Sequence, residues 1–252
     1  MAYRFFGYTP ALKFSKVVGN YIVNNSYGIM LVYGSSNNKI FHNNFINNAY
    51  QAYDSFNNTW DDGYPSGGNY WSDYAGTDVK SGFYQNEAGS DGIGDMPYTI
   101  DANNTDHYPL MAQISFFDAG TWNDITYYVL IISNSTLSDF YFNPDEGAFA
   151  RFWVKGETET ETFGFCRVAI PKNLLWVEDG WTVYVGDDQV IPTVASDDKY
   201  AYLFFTYNHS TKTIEIYGTH AIPEFPSLII LPLFMKVTLL AVIVYKKKNS
   251  VK

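Results

Sequence analysis

The chain of 252 residues is long enough for one large or two small domains, and its 46% apolar residues suffice for a buried core. Its formal net charge of −10 argues against a surface that binds nucleic acid, which needs clustered Lys and Arg. The 22 Tyr, 19 Phe and 6 Trp favour strands, and Asn, Gly, Asp and Ser between apolar runs favour turns, so the composition predicts an all-β fold.

The N-terminal segment, residues 1–20, contains no apolar run long enough to be a signal peptide. A tail anchor without an export signal would leave residues 1–226 in the cytoplasm. Because later features indicate an exterior location, we expect this chain to be the C-terminal part of a longer exported protein, or a truncated reading frame.

Residues 1–60 contain an internal repeat with an offset of 23 residues. The segments 20–29 and 43–52 align position by position, and Asn20 matches Asn43. Short alternating strands at such a period predict coils of a parallel β-helix, with apolar residues stacked inside and Asn at the corners. The alternative is a pair of ordinary β-hairpins with coincidental Asn residues.

A resemblance to a known family is carried by residues 19–48, which read GNYIVNNSYGIMLVYGSSNNKIFHNNFINN. This segment resembles the NosD-like right-handed parallel β-helix repeats, also called carbohydrate-binding and sugar-hydrolase repeats. Because members usually have many more coils, the resemblance implies that coils are missing upstream, and it suggests periplasmic copper handling. The histidines are scattered without the spacing of metal ligands. They are His42, His107, His209 and His220.

Residues 61–114 form an acidic and aromatic segment with three motifs. The motifs are GNYWSDY at 68–74, DGIGDMPY at 91–98 and DHYPL at 106–110. The same succession occurs after the coils of NosD-like archaeal surface proteins, which this segment resembles. The last coil of a β-helix would otherwise expose an apolar face and unpaired strand edges. We therefore predict that residues 61–114 cap the coils.

The same segment predicts a calcium site, because closely spaced carboxylates in Gly-dependent turns can surround one hard cation. The twelve-residue pattern of an EF-hand is absent, and the alternative is that these carboxylates cap turns. The candidate ligands are Asp73, Asp78, Asp91, Asp95, Asp101 and Asp106. Calcium is the one cofactor that the sequence predicts.

Sugar chemistry is a second option for the coils and the cap. Aromatic rings stack on sugar rings, although packing over the end of the coils is the alternative role. The candidate platform residues are Tyr70, Trp71 and Tyr74. A polysaccharide hydrolase would need two carboxylates about 5–10 Å apart. The carboxylates near the last coil are Asp54, Asp61 and Asp62, and nothing distinguishes them from turn residues.

Residues 115–221 read as short strands separated by turns, which predicts an immunoglobulin-like β-sandwich that serves as a stalk. The predicted strands are 127–132, 139–142, 148–154, 162–170, 182–185, 200–207 and 213–217. Residues 165–185 resemble a stretch in the membrane-proximal domains of the same archaeal surface proteins. The single cysteine, Cys166, lies in an apolar run and is predicted to be a small buried strand residue.

Five Asn-x-Ser/Thr sequons occur along the chain, and in an exported protein they are potential glycan acceptors. They begin at Asn24, Asn57, Asn103, Asn134 and Asn208. Because an Asn-rich chain contains several sequons by chance, their number supports export only mildly.

Residues 222–252 indicate a membrane anchor. The mostly apolar segment 227–245 is just long enough to cross a bilayer as a helix, and three lysines follow it. The positive-inside rule places these lysines in the cytoplasm and the bulk of the chain outside. Pro232 would kink such a helix, and Lys236 would cost roughly 2.5–3.5 kcal/mol near its centre. The alternatives are a buried hydrophobic helix and a segment that is removed after sorting.

The tail also resembles a known sorting signal. PEFP at 223–226, the apolar segment and the basic end have the order found in the PEF-type C-terminal anchoring tails of archaeal surface proteins. Together with the coils, cap and stalk, this predicts a membrane-anchored, extracytoplasmic surface protein that is structural or adhesive and not an enzyme. Its partners would be the membrane and glycans or other surface proteins. The alternatives are a carbohydrate-binding module and a polysaccharide-cleaving β-helix enzyme.

Overall fold

The computed structural model describes residues 11–145, 147–156 and 162–222. These ranges contain strands and no helix, so the predicted all-β fold is confirmed. Within them, no helix is long and apolar enough to cross a membrane. The predicted anchor at 227–245 lies outside the described residues and stays a prediction.

Parallel strands form a stack at the N-terminal side. They are β1 (Lys16–Val18), β2 (Tyr21–Val23), β3 (Tyr27–Leu31), β4 (Lys39–Phe41), β5 (Asn44–Ile46), β6 (Tyr50–Asp54) and β7 (Tyr70–Trp71). β1 pairs with β4, β2 with β5 and β3 with β6, always in parallel. Lys16 lies opposite Lys39 and Tyr27 opposite Tyr50, so the 23-residue offset of the sequence is the register between successive turns of the stack.

The stack continues past residue 60, where the sequence predicted its end. β7 pairs in parallel with β5, so that Asn44 lies opposite Tyr70. A further parallel bridge joins Lys39 to Thr59. Parallel pairing of a third turn therefore extends beyond residue 60, and the division of the chain into domains stays a prediction. The connection before β7 is longer, and the offset of this turn changes from 20 residues at Lys39–Thr59 to 26 at Asn44–Tyr70, which hides the turn from a search for one fixed period.

Aromatic rings fill the interior of the stack. The buried residues are Leu31, Ile40, Phe45, Trp60 and Trp71. The Trp71 ring stacks on Phe45 at a centroid distance of 4.4 Å and on Tyr98 of the cap at 4.3 Å. Both pairs are nearly parallel, so Phe45 and Tyr98 cover opposite faces of the indole. Burial of such side chains contributes about 1.5–3 kcal/mol each and holds the turns together.

The cap, which is residues 61–111 apart from β7, consists mainly of loops with two short antiparallel pairs. The strands are β8 (Lys80–Ser81), β9 (Glu87–Ala88), β10 (Tyr98–Thr99) and β11 (Thr105–Asp106). Leu110 forms single bridges with Tyr70 of the stack and with Ile93. Its position fastens the end of the cap to the last turn of the stack.

Two antiparallel sheets form the C-terminal side. Their strands are β12 (Ile114–Trp122), β13 (Ile125–Ser133), β14 (Thr136–Asn143), β15 (Phe149–Lys155), β16 (Phe163–Pro171), β18 (Thr182–Val185), β19 (Asp188–Val190), β20 (Thr193–Ser196), β21 (Tyr200–Asn208) and β22 (Thr211–Tyr217), and a separate small pair is β17 (Leu175–Trp176) with β23 (His220–Ala221). The first sheet has the order β12-β13-β16-β21-β20 and the second β14-β15-β22-β18-β19. Alternate residues of both sheets meet in one buried cluster, so the sheets pack face to face.

All seven strands predicted for this region are present, whereas β12, β19 and β20 were missed. In β12 the pairing register shifts between Asp118 and Gly120, and this irregularity interrupts the alternation that marks a strand. Cys166 is fully buried on β16, as predicted, and burial raises the pKa of its thiol to about 12. The immunoglobulin-like topology stays a prediction.

Candidate functional site

The chemistry-bearing residues of the chain concentrate where the cap meets the outer face of the first sheet, a contact that we name the junction. Ile93 and Leu110 of the cap are fully buried there against Ile132, Ala169 and Tyr202 of the first sheet. The junction therefore has an apolar core of its own, separate from the core between the two sheets.

Asn44 joins the second turn of the stack to the first strand of the sheets. Its Nδ2 donates to the carbonyl oxygen of Ile114 at 2.8 Å, and its Oδ1 accepts from the Ile114 N–H at 2.9 Å. The hydroxyl of Tyr21 donates to the same carbonyl at 3.2 Å. Because the Asn44 amide pairs with both backbone groups of Ile114, the start of β12 is fixed against the coils.

One ladder of asparagine side chains runs along the stack. Oδ1 of Asn43 accepts from the backbone N–H of Asn20, and Oδ1 of Asn69 accepts from that of Asn43, both at 3.1 Å. The ladder ends at Asp106, whose Oδ2 accepts from the backbone N–H of Asn69 at 2.7 Å. The Nδ2 groups reinforce it, since Asn43 Nδ2 lies 3.0 Å from Asn69 Oδ1.

A second ladder repeats this arrangement at another corner of the stack. Oδ1 of Asn38 accepts from the N–H of Ser15 at 3.1 Å, and Oδ1 of Asn58 accepts from the N–H of Asn38 at 2.9 Å. Oδ1 of Asn104 then accepts from the N–H of Asn58 at 3.1 Å. The last acceptor is Asp101, whose Oδ1 lies 3.0 Å from the N–H of Asn104.

Both ladders end in aspartate, and hydrogen-bonding capacity explains why. An amide inside a ladder accepts from the turn before it and donates onward through Nδ2. The last position only receives N–H donors, and a carboxylate accepts hydrogen bonds without carrying a donor of its own. Asp101 and Asp106 therefore act as ladder terminators, which is a structural role that the calcium prediction did not assign to them.

The two terminators differ in burial. Asp106 is fully buried, and this raises the pKa of its carboxyl from 3.8 to about 7, although the N–H groups of Asn69, Trp71 and Tyr108 limit the rise. The slight desolvation of Asp101 is outweighed by hydrogen bonds from Asn104 and Asn103, and its pKa is lowered.

Replacing Asp106 with Asn should change how stability depends on pH. Because the folded-state pKa is raised from 3.8 to about 7, the folded protein keeps a proton that the unfolded chain loses. The stability contributed by Asp106 is thus fully present below about pH 4 and is lost as the pH rises through about 7. In urea titrations, the free energy of unfolding of the wild type minus that of Asp106→Asn should be larger near pH 5 than near pH 8, by on the order of 3 kcal/mol.

Asp101→Asn is the matched control for this experiment. The pKa of Asp101 is lowered, so its contribution is lost only as the pH falls through that value, and both states are ionised between about pH 5 and pH 8. The difference between the wild type and Asp101→Asn should therefore stay constant over this range. A constant difference for Asp106→Asn as well would contradict the raised pKa of the buried Asp106 carboxyl.

The DGIGD motif is a turn that Asp78 holds in place. Oδ1 of Asp78 accepts from the N–H of Asp91 at 3.0 Å, and Oδ2 accepts from that of Gly92 at 2.8 Å. Desolvation by burial raises the pKa of Asp78 to about 6, against the effect of these two hydrogen bonds. Gly92 has a φ of +86°, and a Cβ there would lie 3.0 Å from the side chain of Arg167, so the close approach requires glycine.

Arg167 of β16 connects the first sheet to the cap. Its guanidinium is buried, donates to the carbonyl oxygen of Asp91 at 2.5 Å and also donates to that of Pro65. Cζ lies 5.0 Å from the centroid of the Tyr202 ring. Burial lowers the pKa of Arg167, and the negative charge of Asp91 acts in the opposite direction. One cation thus holds two loops of the cap on the sheet.

The six predicted calcium ligands do not converge on one point. Asp73 accepts from the hydroxyl of Tyr98 at 3.2 Å, and Asp95 accepts from the N–H groups of Val79 and Lys80 at 3.1 and 3.0 Å. Throughout the described part of the chain, no group of three or more His, Cys, Asp or Glu could hold a metal ion. The contacts of these carboxylates match the alternative role of turn capping, and calcium binding stays a prediction.

The predicted sugar platform is divided between interior and surface. Trp71 is only 1% exposed, and Phe45 and Tyr98 cover its two faces, so it has no free face for a sugar. The contacts of Trp71 match the alternative role of packing, and sugar binding by the platform stays a prediction. Tyr70 and Tyr74 are half-buried, and the Tyr74 hydroxyl donates to the carbonyl oxygen of Met96 at 2.6 Å.

The carboxylates considered for hydrolysis also have protein partners. Asp54 accepts from the indole N–H of Trp60 at 3.2 Å and from Nδ2 of Asn58 at 2.9 Å. Asp61 accepts from the N–H of Gly63 at 3.0 Å, and its Oδ2 lies 2.9 Å from Nδ1 of His107. Asp62 accepts from the hydroxyl of Ser66 and from the ammonium of Lys39.

The five sequons differ in the freedom of their side chains. The Asn134 side chain accepts from the N–H of Phe165 at 2.9 Å and donates to the carbonyl oxygen of Phe163, so its amide is engaged. The other four are exposed, and their side chains make no hydrogen bond with the residues that the structure describes; they are Asn24, Asn57, Asn103 and Asn208. Glycosylation stays a prediction, and Asn134 is the sequon whose side-chain amide is least available for modification in the folded chain.

One part of the chain is similar in sequence to a known protein family. Residues 10–76 match the family described as periplasmic copper-binding protein (NosD). The match covers well under half of the chain, and it includes the third turn of the stack. No curated protein and no solved structure matches significantly. The stack is thus similar to a NosD-like parallel β-helix.

The described residues do not fit a copper centre of the kind that this description implies. Copper binds imidazole and sulfur ligands that converge on the metal. Each histidine instead forms a hydrogen bond with a different residue. The partners are Ser66 for His42, Asp61 for His107, Thr162 for His209 and Glu178 for His220. Cys166 is buried between the sheets, near Ser133 and Tyr207.

Arg167 is the junction residue that sequence reasoning missed. The signal was present, because an arginine interrupts the apolar run of Phe163–Pro171. A lone cation in a strand that is otherwise buried requires fixed hydrogen-bond acceptors. The acceptors lie 76 and 102 residues away along the chain, and no local pattern identifies them.

Proposed function

We propose that the chain is the membrane-proximal part of an extracytoplasmic surface protein with a structural or adhesive role. In this proposal the stack is the end of a right-handed β-helix, and the two sheets form an immunoglobulin-like stalk. The segment 227–245 anchors the chain, with the lysines that follow it in the cytoplasm. The similarity of residues 10–76 to a periplasmic family supports the exterior location.

One observation supports the structural role. The hydrogen-bond ladders of the stack end in the cap, and the cap is bound to the first sheet. Asp101 and Asp106 close its ladders, and the buried Arg167 binds the cap to the first sheet. Hydrogen bonds from an ionised group are stronger than those between neutral groups, so Arg167 holds the cap firmly through its two terminal nitrogens, although its Nε has no partner among the described residues. A stack that is closed and held in this way suits a rigid support.

The non-catalytic part of the proposal rests on the engagement of the acidic residues. A retaining or inverting hydrolase needs a pair of carboxyl groups that are free to reach the substrate. The carboxylate oxygens of Asp54, Asp61 and Asp62 accept hydrogen bonds from nearby donors of the same chain. Their role in this proposal is to shape the last turn of the stack.

Protease shaving of intact cells that make the protein natively tests the proposed location. We expect mass spectrometry to find peptides from residues 115–220 in the supernatant, together with no peptides of a cytoplasmic marker protein. Peptides from 246–252 should appear only after lysis, because the lysines are proposed to be cytoplasmic. If residues 115–220 stay protected until the cells are lysed, the surface function is wrong.

A further inference from the structure

The outer faces of the two sheets differ in what covers them. The first sheet carries the cap on its outer face, where Ile132, Ala169 and Tyr202 are buried. In the second sheet, Ala150 and Phe152 of β15 point into the core, and the residues between them point outward. The outward rings of this sheet, which we name the aromatic face, are Tyr141, Phe149, Trp153, Tyr184 and Tyr217.

Four rings of the aromatic face form a continuous series of contacts, and Trp153 lies outside that series. Phe149 lies 5.3 Å from Tyr217, and Tyr184 lies 6.0 Å from Tyr217, between ring centroids. Tyr141 is 50% exposed and Trp153 42%, values that are high for aromatic residues within a sheet. The strands that carry Phe149, Trp153, Tyr184 and Tyr217 pair on both sides, and Tyr141 lies on the edge strand β14, so most of the face is preorganised for a ligand.

Ionised groups lie between the rings. Arg151 lies opposite Glu215 in the strand register, with 3.8 Å between Nη1 and Oε1, which is too long for a hydrogen bond. The Arg151 guanidinium is 5.6 Å from the centroids of both Tyr141 and Phe149. It donates no hydrogen bond to the residues that the structure describes, so its N–H groups are free for a ligand.

The mixture of rings and charges indicates the chemistry of the ligand. Asp and Glu are depleted in the core of a protein–protein interface, whereas here Asp187 and Glu215 line both depressions beside the rings. A sugar has apolar C–H faces that lie against the negative face of an aromatic ring. Its hydroxyls both donate and accept hydrogen bonds, and so match the Arg151 N–H groups and Oε1 of Glu215, whose Oε2 already accepts from the Tyr217 hydroxyl at 2.7 Å. A neutral sugar satisfies each group without placing a net charge on the face.

The shape of the surface indicates a chain of several sugar units. Two depressions with volumes of about 550 and 520 Å³ adjoin on this face and share Gly186, Asp187 and Glu215. Tyr184 and Tyr217 line one of them, and Trp153 lines the other. Both volumes fall within the range of about 300–1,000 Å³ that is typical of small-ligand sites. A linear molecule would extend through both depressions.

We propose that the aromatic face binds a linear neutral oligosaccharide. Trp153 and Tyr184 stack on sugar rings in the two depressions, and Arg151 and Glu215 bind hydroxyls between them. This moves sugar recognition from the cap, where the sequence predicted it, to the second sheet. The inference names the adhesive surface of the proposed function and rests on it for its biological setting, but binding is measured on isolated protein and does not depend on the location of the chain in the cell.

The test is calorimetric titration of the full chain in detergent with cellohexaose, mannohexaose and chitohexaose as separate probes. We expect saturable binding of at least one hexasaccharide. Trp153→Ala and Tyr184→Ala should each weaken that binding by about tenfold or more, because each removes one stacking platform. Tyr84→Ala is the matched control, since Tyr84 is 79% exposed on the cap, and its affinity should equal that of the wild type.

Circular dichroism of each variant shows that the fold is retained, because these side chains face outward. Absence of binding to all three hexasaccharides overturns the inference. Binding that is unchanged in both Trp153→Ala and Tyr184→Ala also overturns it, as does equal weakening by Tyr84→Ala. Binding that follows the expected pattern in a protein that protease shaving places inside the cell would leave the sugar site intact and reject the proposed function alone.

Discussion

Replacing Asn69 with Ala is expected to lower the free energy of unfolding by about 4 kcal/mol. Asn69 is fully buried, and its Oδ1 accepts from both the N–H and the Nδ2 of Asn43. Its Nδ2 donates to the carbonyl oxygens of Ile40 and Trp60 at 2.9 and 2.8 Å. Alanine would leave these buried groups without partners, and each such group costs about 1–3 kcal/mol. Urea denaturation monitored by far-ultraviolet circular dichroism gives the change.

Asn57→Ala is the control for this prediction. Asn57 is exposed, and its side chain makes no hydrogen bond with the described residues. Its replacement should change the free energy of unfolding by less than about 0.5 kcal/mol. If Asn69→Ala and Asn57→Ala have similar small effects, the asparagine ladder does not hold the turns of the stack together. Asp101 and Asp106 then do not stabilise the stack as terminators.

Arg167→Met is expected to lower the free energy of unfolding by about 3 kcal/mol and to loosen the cap. Methionine fills a similar volume, but it leaves the carbonyl oxygens of Asp91 and Pro65 without donors in a buried position. It also removes the charge that faces the buried carboxyl of Asp91. Limited proteolysis should then cut the cap at a higher rate than in the wild type.

Arg151→Met is the matched control, because it makes the same change on the outer face of the second sheet. The Arg151–Glu215 contact is long and partly exposed, so its loss should cost less than about 1 kcal/mol. Arg167→Lys separates charge from geometry, since a lysine keeps the charge but lacks the planar fork that reaches two carbonyls. Stability equal to the wild type for Arg167→Met would show that the apolar contacts alone hold the junction.

Local patterns of the sequence predicted much of this fold. Alternation of apolar and polar residues identified strands such as Tyr200–Asn208 and Thr211–Tyr217, because every second side chain of these strands enters the core. The 23-residue repeat identified the register of the first two turns. The third turn was not predicted because its offset is 20 residues at one corner and 26 at another, so one fixed period does not identify it.

The roles of the acidic residues could not be derived from local patterns. Asp106 accepts from Asn69, which lies 37 residues earlier, and Asn58 donates to Asn104 across 46 residues. A run of Asp and Gly suits a calcium loop and a set of capped turns equally well. Trp71 likewise carried no sign of burial, because the two rings that cover it come from a neighbouring turn and from the cap.

The contacts at the junction predict that the stack, the cap and the first sheet unfold cooperatively. The stack, the cap and the first sheet share buried apolar contacts, the Asn44–Ile114 pair and the Arg167 hydrogen bonds. Elements connected in this way open together, whereas two independent domains open separately. A rigid support requires the first behaviour, so the proposed structural role depends on it.

Native-state hydrogen exchange with mass spectrometry is the measurement that tests this most directly. Amides of β2 and β5 in the stack and of β13 and β16 in the first sheet should exchange with the same free energy of opening, and that value should fall in parallel as urea is added. If the amides of the stack open at low urea while those of the first sheet stay protected, the junction does not join them, and the chain is not the rigid support that we propose.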